Sequence, residues 1–167
     1  MLQPSANWSW YLHPETKILF LELEDMLFST AYHQRQLLVQ SNSRQPFSID
    51  DHHFYSKMEE VLVSLQNLYS DARLTQMALN ATAVNKFYRP IMPKSWFFSK
   101  HQYSGQNNGL SILENDLNQG LVMIIEKDKN SSLCMLIGKP MQLDEHSQLE
   151  EFAVIKVMNE YLLPYLS

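Results

Sequence analysis

Cysteine occurs once in this 167-residue chain, glycine four times, and no apolar run exceeds the length of a strand. The lone Cys134 cannot close an intrachain disulfide, and the opening Met-Leu-Gln-Pro-Ser-Ala-Asn-Trp has neither a cationic head nor an apolar run. A reducing, cytoplasmic setting is the expectation. The longest apolar runs, such as Leu121 to Ile125, fall far short of the about 20 residues that span a bilayer, so no membrane helix is expected. So few glycines leave few places where backbone could closely approach a cofactor, and none is expected. No stretch combines low hydrophobicity with high charge. At 45% hydrophobic and 19% charged residues, the composition is globular. A chain of this length buries about 70% of its unfolded surface, enough to fold without staples.

Acidic residues are absent between Asp71 and Glu114, a window that holds Arg73, Lys86, Arg89, Lys94 and Lys100. With a total charge of -5, this +5 window leaves -10 on the remainder. Such an acidic balance argues against a generic nucleic-acid binder, whereas the local asymmetry points to a surface for a negative partner.

Apolar spacing organises the rest. Asn7-Trp-Ser-Trp-Tyr-Leu12 and Lys17-Ile-Leu-Phe-Leu-Glu-Leu23 flank the turn residues His13-Pro14-Glu15-Thr16 and predict an opening hairpin. Met26 to Tyr32 adds a third strand and Leu37 to Gln40 a short further piece. From Phe54 the steps Met58, Val61, Leu65 and Leu68 predict one helix, with Asp50 and Asp51 at its start. A second starts at Ser70, carries Leu74, Met77, Ala78, Ala81, Val84 and Tyr88, and ends before Pro90. Trp96 to Lys100, Leu110 to Leu113, Leu121 to Glu126 and Leu133 to Ile137 return to a period of two. Gln148 to Leu163 reads as a final helix stopped by Pro164. Strands, two helices, strands and a helix in that order indicate an α+β chain.

No constellation for catalysis emerges, and the chain is not expected to be an enzyme. His52-His53 lacks the Cys or His partners a metal site needs. Ser104-Gly105-Gln106-Asn107-Asn108-Gly109 lacks the Gly-Lys-Ser/Thr ending of a phosphate loop and reads as a flexible loop. No Gly-x-Ser-x-Gly elbow is present, and Cys134 within Ser-Leu-Cys-Met-Leu-Ile is expected to be buried and inert.

Arg89 to Lys100, Arg-Pro-Ile-Met-Pro-Lys-Ser-Trp-Phe-Phe-Ser-Lys, is the most distinctive stretch. If residues 94 to 100 run extended, Lys94, Trp96, Phe98 and Lys100 share one face: an aromatic pair with a cation at each end. Either the aromatics are core and the lysines protect a strand edge, or the face is a groove for a partner that is apolar in the middle and acidic at its flanks. A nucleic-acid alternative has Trp96 and Phe98 stacking single-stranded bases.

Asn7-Trp8-Ser9-Trp10-Tyr11, Met26-Leu27-Phe28, Leu79-Asn80-Ala81, Met92-Pro93-Lys94-Ser95-Trp96 and Ile155-Lys156-Val157-Met158-Asn159 together resemble the Z-ring-associated ZapC family of gammaproteobacteria, in order and across nearly the whole chain. The resemblance implies a cytoplasmic cell-division adaptor at mid-cell. It would bind FtsZ through core or tail, promote lateral bundling of its filaments and lower its GTPase activity. It further implies a monomer with an N-terminal α/β part, residues 1–90, packed closely on a C-terminal β-barrel-like part, residues 91–167. Arg89, Lys94 and Trp96 match the family's basic and aromatic positions, and Leu21 matches an apolar position of the second strand; core packing is the plainer role for Leu21.

Overall fold

The computed structural model describes residues 1–39, 43–101 and 108–166. Two compact units divide the chain, Met1–Arg89 and Pro90–Ser167. Its class is α+β, with two helices and several antiparallel sheets among the described residues.

In the first unit, β1 (Ser9–Leu12), β2 (Ile18–Glu22), β3 (Leu27–His33) and β4 (Arg44–Pro46) form an antiparallel sheet in the order β3-β2-β1-β4. Alternation puts Trp10 and Leu12 of β1 opposite Leu21 and Leu19 of β2, all four buried on one face. The predicted hairpin and third strand are therefore present. A bulge interrupts the β2–β3 register between Ile18 and Phe20, where the Thr30 hydroxyl donates to the Leu19 carbonyl at 2.8 Å. The piece predicted over Leu37–Gln40 reduces to a bridge between Leu37 and Tyr88, and Gln40 lies outside the described residues.

Two helices complete this unit. Helix α1 (Ile49–Leu62) starts two residues earlier than a cap at Asp50 would place it, because Ser48 is its cap. The Ser48 hydroxyl accepts from the Asp51 N–H, and the Asp51 carboxylate accepts from the Ser48 N–H, a reciprocal capping box. The buried stripe is Tyr55, Met58, Leu62 and Leu65: Met58 and Leu65 are as predicted, Tyr55 and Leu62 take the places expected of the half-buried Phe54 and Val61, and Leu68 is exposed. Helix α2 (Asp71–Phe87) begins after Ser70 as predicted and stops before Pro90. Every residue from Met77 to Val84 is buried, because α2 packs against both α1 and β3. Three alanines in that run keep the approach close.

Asp51 does more than cap. Its Oδ2 accepts from the Trp10 indole at 3.1 Å and pairs with the Lys86 ammonium at 3.0 Å. One buried carboxylate thus ties the start of α1 to the sheet and to the last turn of α2.

In the second unit, β5 (Leu110–Glu114), β6 (Gln119–Lys127), β7 (Ser131–Ile137), β8 (Met141–Gln142), β9 (Gln148–Leu149), β10 (Val154–Met158) and β11 (Leu163–Pro164) build two antiparallel sheets, β10-β7-β6-β5-β11 and β8-β9. Phe98, Leu113, Val122, Leu136, Ile155 and Val157 meet in its core. Gly120 is required by packing: a Cβ there would lie 2.6 Å from the Met141 sulfur and 2.9 Å from a Leu136 methyl.

Three expectations for this unit are corrected. The sheet does not close into a barrel, since β10 and β11 remain its two edges. The final helix is absent: Gln148 to Leu163 forms β9, β10, a 3₁₀ turn and the start of β11. Phe152 adopts φ 70°, which no helix accommodates, and beyond it Ile155 and Val157 alternate into the core as β10 pairs with β7. The strand expected over Trp96 to Lys100 is instead a 3₁₀ turn, Ser95–Phe97, followed by extended chain.

Candidate functional site

Segment 94–101 is a strap hydrogen-bonded across the second unit. The Lys94 N–H donates to the Lys156 carbonyl at 2.8 Å, and the Ser95 hydroxyl accepts from the Met158 N–H at 2.9 Å, so the strap covers the edge of β10. It then crosses to β5, where the Ser99 N–H donates to the Glu114 carbonyl at 2.7 Å, and ends with His101 N–H on the Glu160 carbonyl at 2.7 Å. A 3₁₀ turn places side chains about 120° apart rather than on alternating faces. Trp96 consequently points outward, 71% exposed, while Phe98 enters the core at 7%. The single face expected to hold both aromatics does not exist.

What remains outside is a shorter strip. Met92, 78% exposed, Lys94 and Trp96 are exposed, whereas Ile91, Pro93 and Ser95 are half-buried. The period of two is real but begins two residues before Lys94, and sequence reading missed Met92 for that reason. Phe97 braces Trp96 at a centroid separation of 5.6 Å. Lys100 is also exposed but pairs with Glu160 at 3.4 Å.

The acid-free window does not become one free basic patch. Arg73, Lys86 and Arg89 belong to the first unit, Lys94 and Lys100 to the second. Lys86 is held by Asp51, Arg73 donates to Gln76 at 3.1 Å, and the Arg89 guanidinium donates through Nε to the Leu37 carbonyl at 3.0 Å. Of the five cations, Lys94 alone has no side-chain partner among the described residues. Leu21 lies in the first unit in strand β2 and is fully buried.

Groups that could do chemistry are dispersed. Among the described residues no three of His, Cys, Asp and Glu gather as a metal site. His52 packs edge-on against Phe47 at 5.2 Å, and His53 is exposed. Most of the glycine-bearing loop predicted at 104–109 lies outside the described residues, which resume at Asn108. Burial pushes the Cys134 thiol up to about 12, in line with the inert thiol expected. Burial likewise raises the Tyr32 and Tyr55 phenols well above their usual value, with the Glu59 charge adding to the effect on Tyr55.

Those shifts predict alkaline lability. Unfolded cysteine and tyrosine ionise at about 8.5 and about 10, before their folded counterparts. The stability contributed is full below those values and is lost as pH rises through the folded pKa. Urea midpoints should therefore fall above about pH 9. At pH 8, iodoacetamide should label Cys134 only in unfolded protein; fast labelling of the native chain would contradict the burial.

Both units have counterparts among known families. The family model described as cell-division protein ZapC, N-terminal, matches residues 1–89, and cell-division protein ZapC, C-terminal, matches residues 90–167. The chain belongs to the ZapC family. Cell division protein ZapC of Aeromonas hydrophila is 34% identical over 166 residues, covering 98% of this chain and 92% of the relative. That of Pseudoalteromonas atlantica is 36% identical, covering 99% and 95%, and that of Vibrio cholerae 34%, covering 96% and 90%. The resemblance read from five short segments is thus a family relationship along the full chain. Among the described residues of this ZapC-family chain, no helix is long and apolar enough to cross a membrane.

Proposed function

We propose that this ZapC-family chain is a non-enzymatic adaptor that binds FtsZ directly in the cytoplasm at mid-cell, bundles its filaments laterally and lowers its GTPase activity. The observation that carries the reading is the exposed Met92–Lys94–Trp96 strip in a chain whose two units both match a cell-division family. Hydrogen bonds of Lys94 and Ser95 to β10 fix the backbone at the centre of this strip, which lowers the ordering cost of binding.

Trp96 and Met92 are the anchors, since a buried apolar side chain contributes about 1.5–3 kcal/mol. Lys94, with Lys100 beside it in the second unit, steers an acidic partner toward the strip, and Arg89 acts on that partner from the first unit's own surface, each exposed pair adding about 0.2–1 kcal/mol. Phe98 and Leu21 contribute from beneath, by fixing the backbone that carries surface residues. A nucleic-acid groove would stack successive bases on several rings; with Phe98 in the core, Trp96 is the one fully presented ring of this strap. The division into parts 1–90 and 91–167, close-packed in a monomer, belongs to the same reading. Bundling by a monomer needs two contact surfaces.

Co-sedimentation with full-length and tail-deleted FtsZ tests the proposal. The chain should pellet with assembled filaments and increase bundling, less so as salt shortens the Debye length below about 8 Å. If it remains in the supernatant of both at low salt, the adaptor reading fails.

A further inference from the structure

The first unit carries a second exposed apolar feature, distinct from the strip and independent of the FtsZ reading. A groove of about 540 Å³ opens between β3 and the first half of α2, with Leu23, Met26, Leu27, Ala72, Gln76 and Leu79 among its lining. Around it Met26, Leu27 and Leu2 are 57%, 55% and 41% exposed. Large apolar side chains concentrated on one concavity mark an interaction surface.

One wall of this groove is an unprotected sheet edge. Strand β3 is terminal in its sheet, and Leu-Phe-Ser-Thr-Ala-Tyr-His contains no proline, lysine, arginine or carboxylate to discourage pairing. The Leu23 N–H donates to the Met26 carbonyl and closes the β2–β3 turn as a hydrogen-bonded pair. Alternation makes Leu21–Phe28 the next such pair, while Glu22–Leu27 and Phe20–Ser29 are not. The backbone N–H and C=O groups of Leu27 and Ser29 therefore point away from β2. Two residues on, this edge is closed: the Ala31 N–H donates to the Asn80 side chain of α2 at 2.9 Å. The free stretch ends where strand and helix come together, and it opens toward the groove.

Charge selects the occupant. Asp71 lines the groove, and Glu24 and Asp25 line its continuation past Leu2, Leu23 and Met26. None of these three carboxylates has a charge partner among the described residues. Against these three carboxylates the lining carries one cation, the Met1 α-ammonium, so the rim is net acidic, opposite in sign to the Lys94 strip.

We infer that the β3–α2 groove takes an extended segment of a partner protein, added as a strand along Leu27–Ser29, with apolar residues at alternate positions and lysine or arginine at its flanks. Main-chain bonds supply part of the affinity, the groove reads the alternate side chains, and the carboxylates reject acidic sequences.

Fluorescence anisotropy with the full chain tests this. The probes are a labelled peptide of alternating valine and serine flanked by lysine pairs, its glutamate-flanked counterpart, and a lysine-flanked copy N-methylated along one edge. The lysine-flanked probe should bind at least about ten-fold more tightly than the glutamate one, as about three weak ion pairs allow, and the N-methylated copy should bind far less tightly. Ala72→Trp, filling the groove from an exposed helix position, should abolish binding, and Glu24→Lys on the exposed turn should weaken it several-fold with circular dichroism unchanged. Equal affinity for both flanks, or undiminished binding of the N-methylated copy, would overturn the inference. So would concentration-dependent self-association lost in Ala72→Trp, which would make a second copy the occupant. Because no probe or readout involves FtsZ, failure here leaves the adaptor proposal standing, and the reverse.

Discussion

Trp96→Ala should weaken binding to assembled FtsZ by about 30-fold while both units stay folded. An interface anchor of this type contributes about 2 kcal/mol or more, and each 1.4 kcal/mol is a factor of ten. The side chain is 71% exposed, so its removal deletes little that the free chain buries. Its backbone stays fixed by the bonds of Lys94 and Ser95 to β10. Phe98→Ala would be the misleading experiment: that ring sits in the core of the second unit, and its loss costs about 3–5 kcal/mol of stability. Lys94→Glu should act mainly on the association rate, by a few-fold and with strong salt dependence. A co-sedimentation isotherm for Trp96→Ala that overlays the wild type, with unchanged circular dichroism, would remove the strip from the interface.

Asp51→Ala should destabilise the first unit by about 3–5 kcal/mol. Truncation leaves the Lys86 ammonium without its partner in a mostly buried setting and orphans the Trp10 indole N–H and the Ser48 N–H. Against a typical total of about 5–15 kcal/mol, that loss is enough to leave much of the unit unfolded on mild heating. The paired replacement Asp51→Leu with Lys86→Met should cost clearly less, because no charge is then stranded. Urea titrations followed by tryptophan fluorescence report this unit well, since Trp8 and Trp10 are buried in it. Equal midpoints for Asp51→Ala and wild type would show that the cluster is not the tie between α1, α2 and the sheet.

Legibility followed locality. The Ser70 cap and the stop before Pro90 were readable because a cap bond and a proline ring act within one turn. In α1 Met58 and Leu65 were legible, but Phe54 and Val61 fit a period of 3.6 as well as the buried Tyr55 and Leu62 do; only the packed neighbour distinguishes them. The same ambiguity produced the false last helix, where apolar residues from Leu149 to Leu162 satisfy both periods and the positive φ of Phe152 is invisible in the sequence. The groove beside β3 had no sequence signal beyond a strand without charged residues, because a concavity is a relation between distant segments.

The sequence by itself determined the α+β class, the start and stop of α2 set by the Ser70 cap and Pro90, the inertness of Cys134, and family membership through five short segments in order. Only the tertiary structure decided which aromatic of the strap faces water, which of five cations is free, and which sheet edge stays open. Caps and turns are closed by bonds within a few residues. Exposure is settled by what packs from far along the chain: β10 draws Ser95 onto its edge, the core takes Phe98, and Trp96 is left outside.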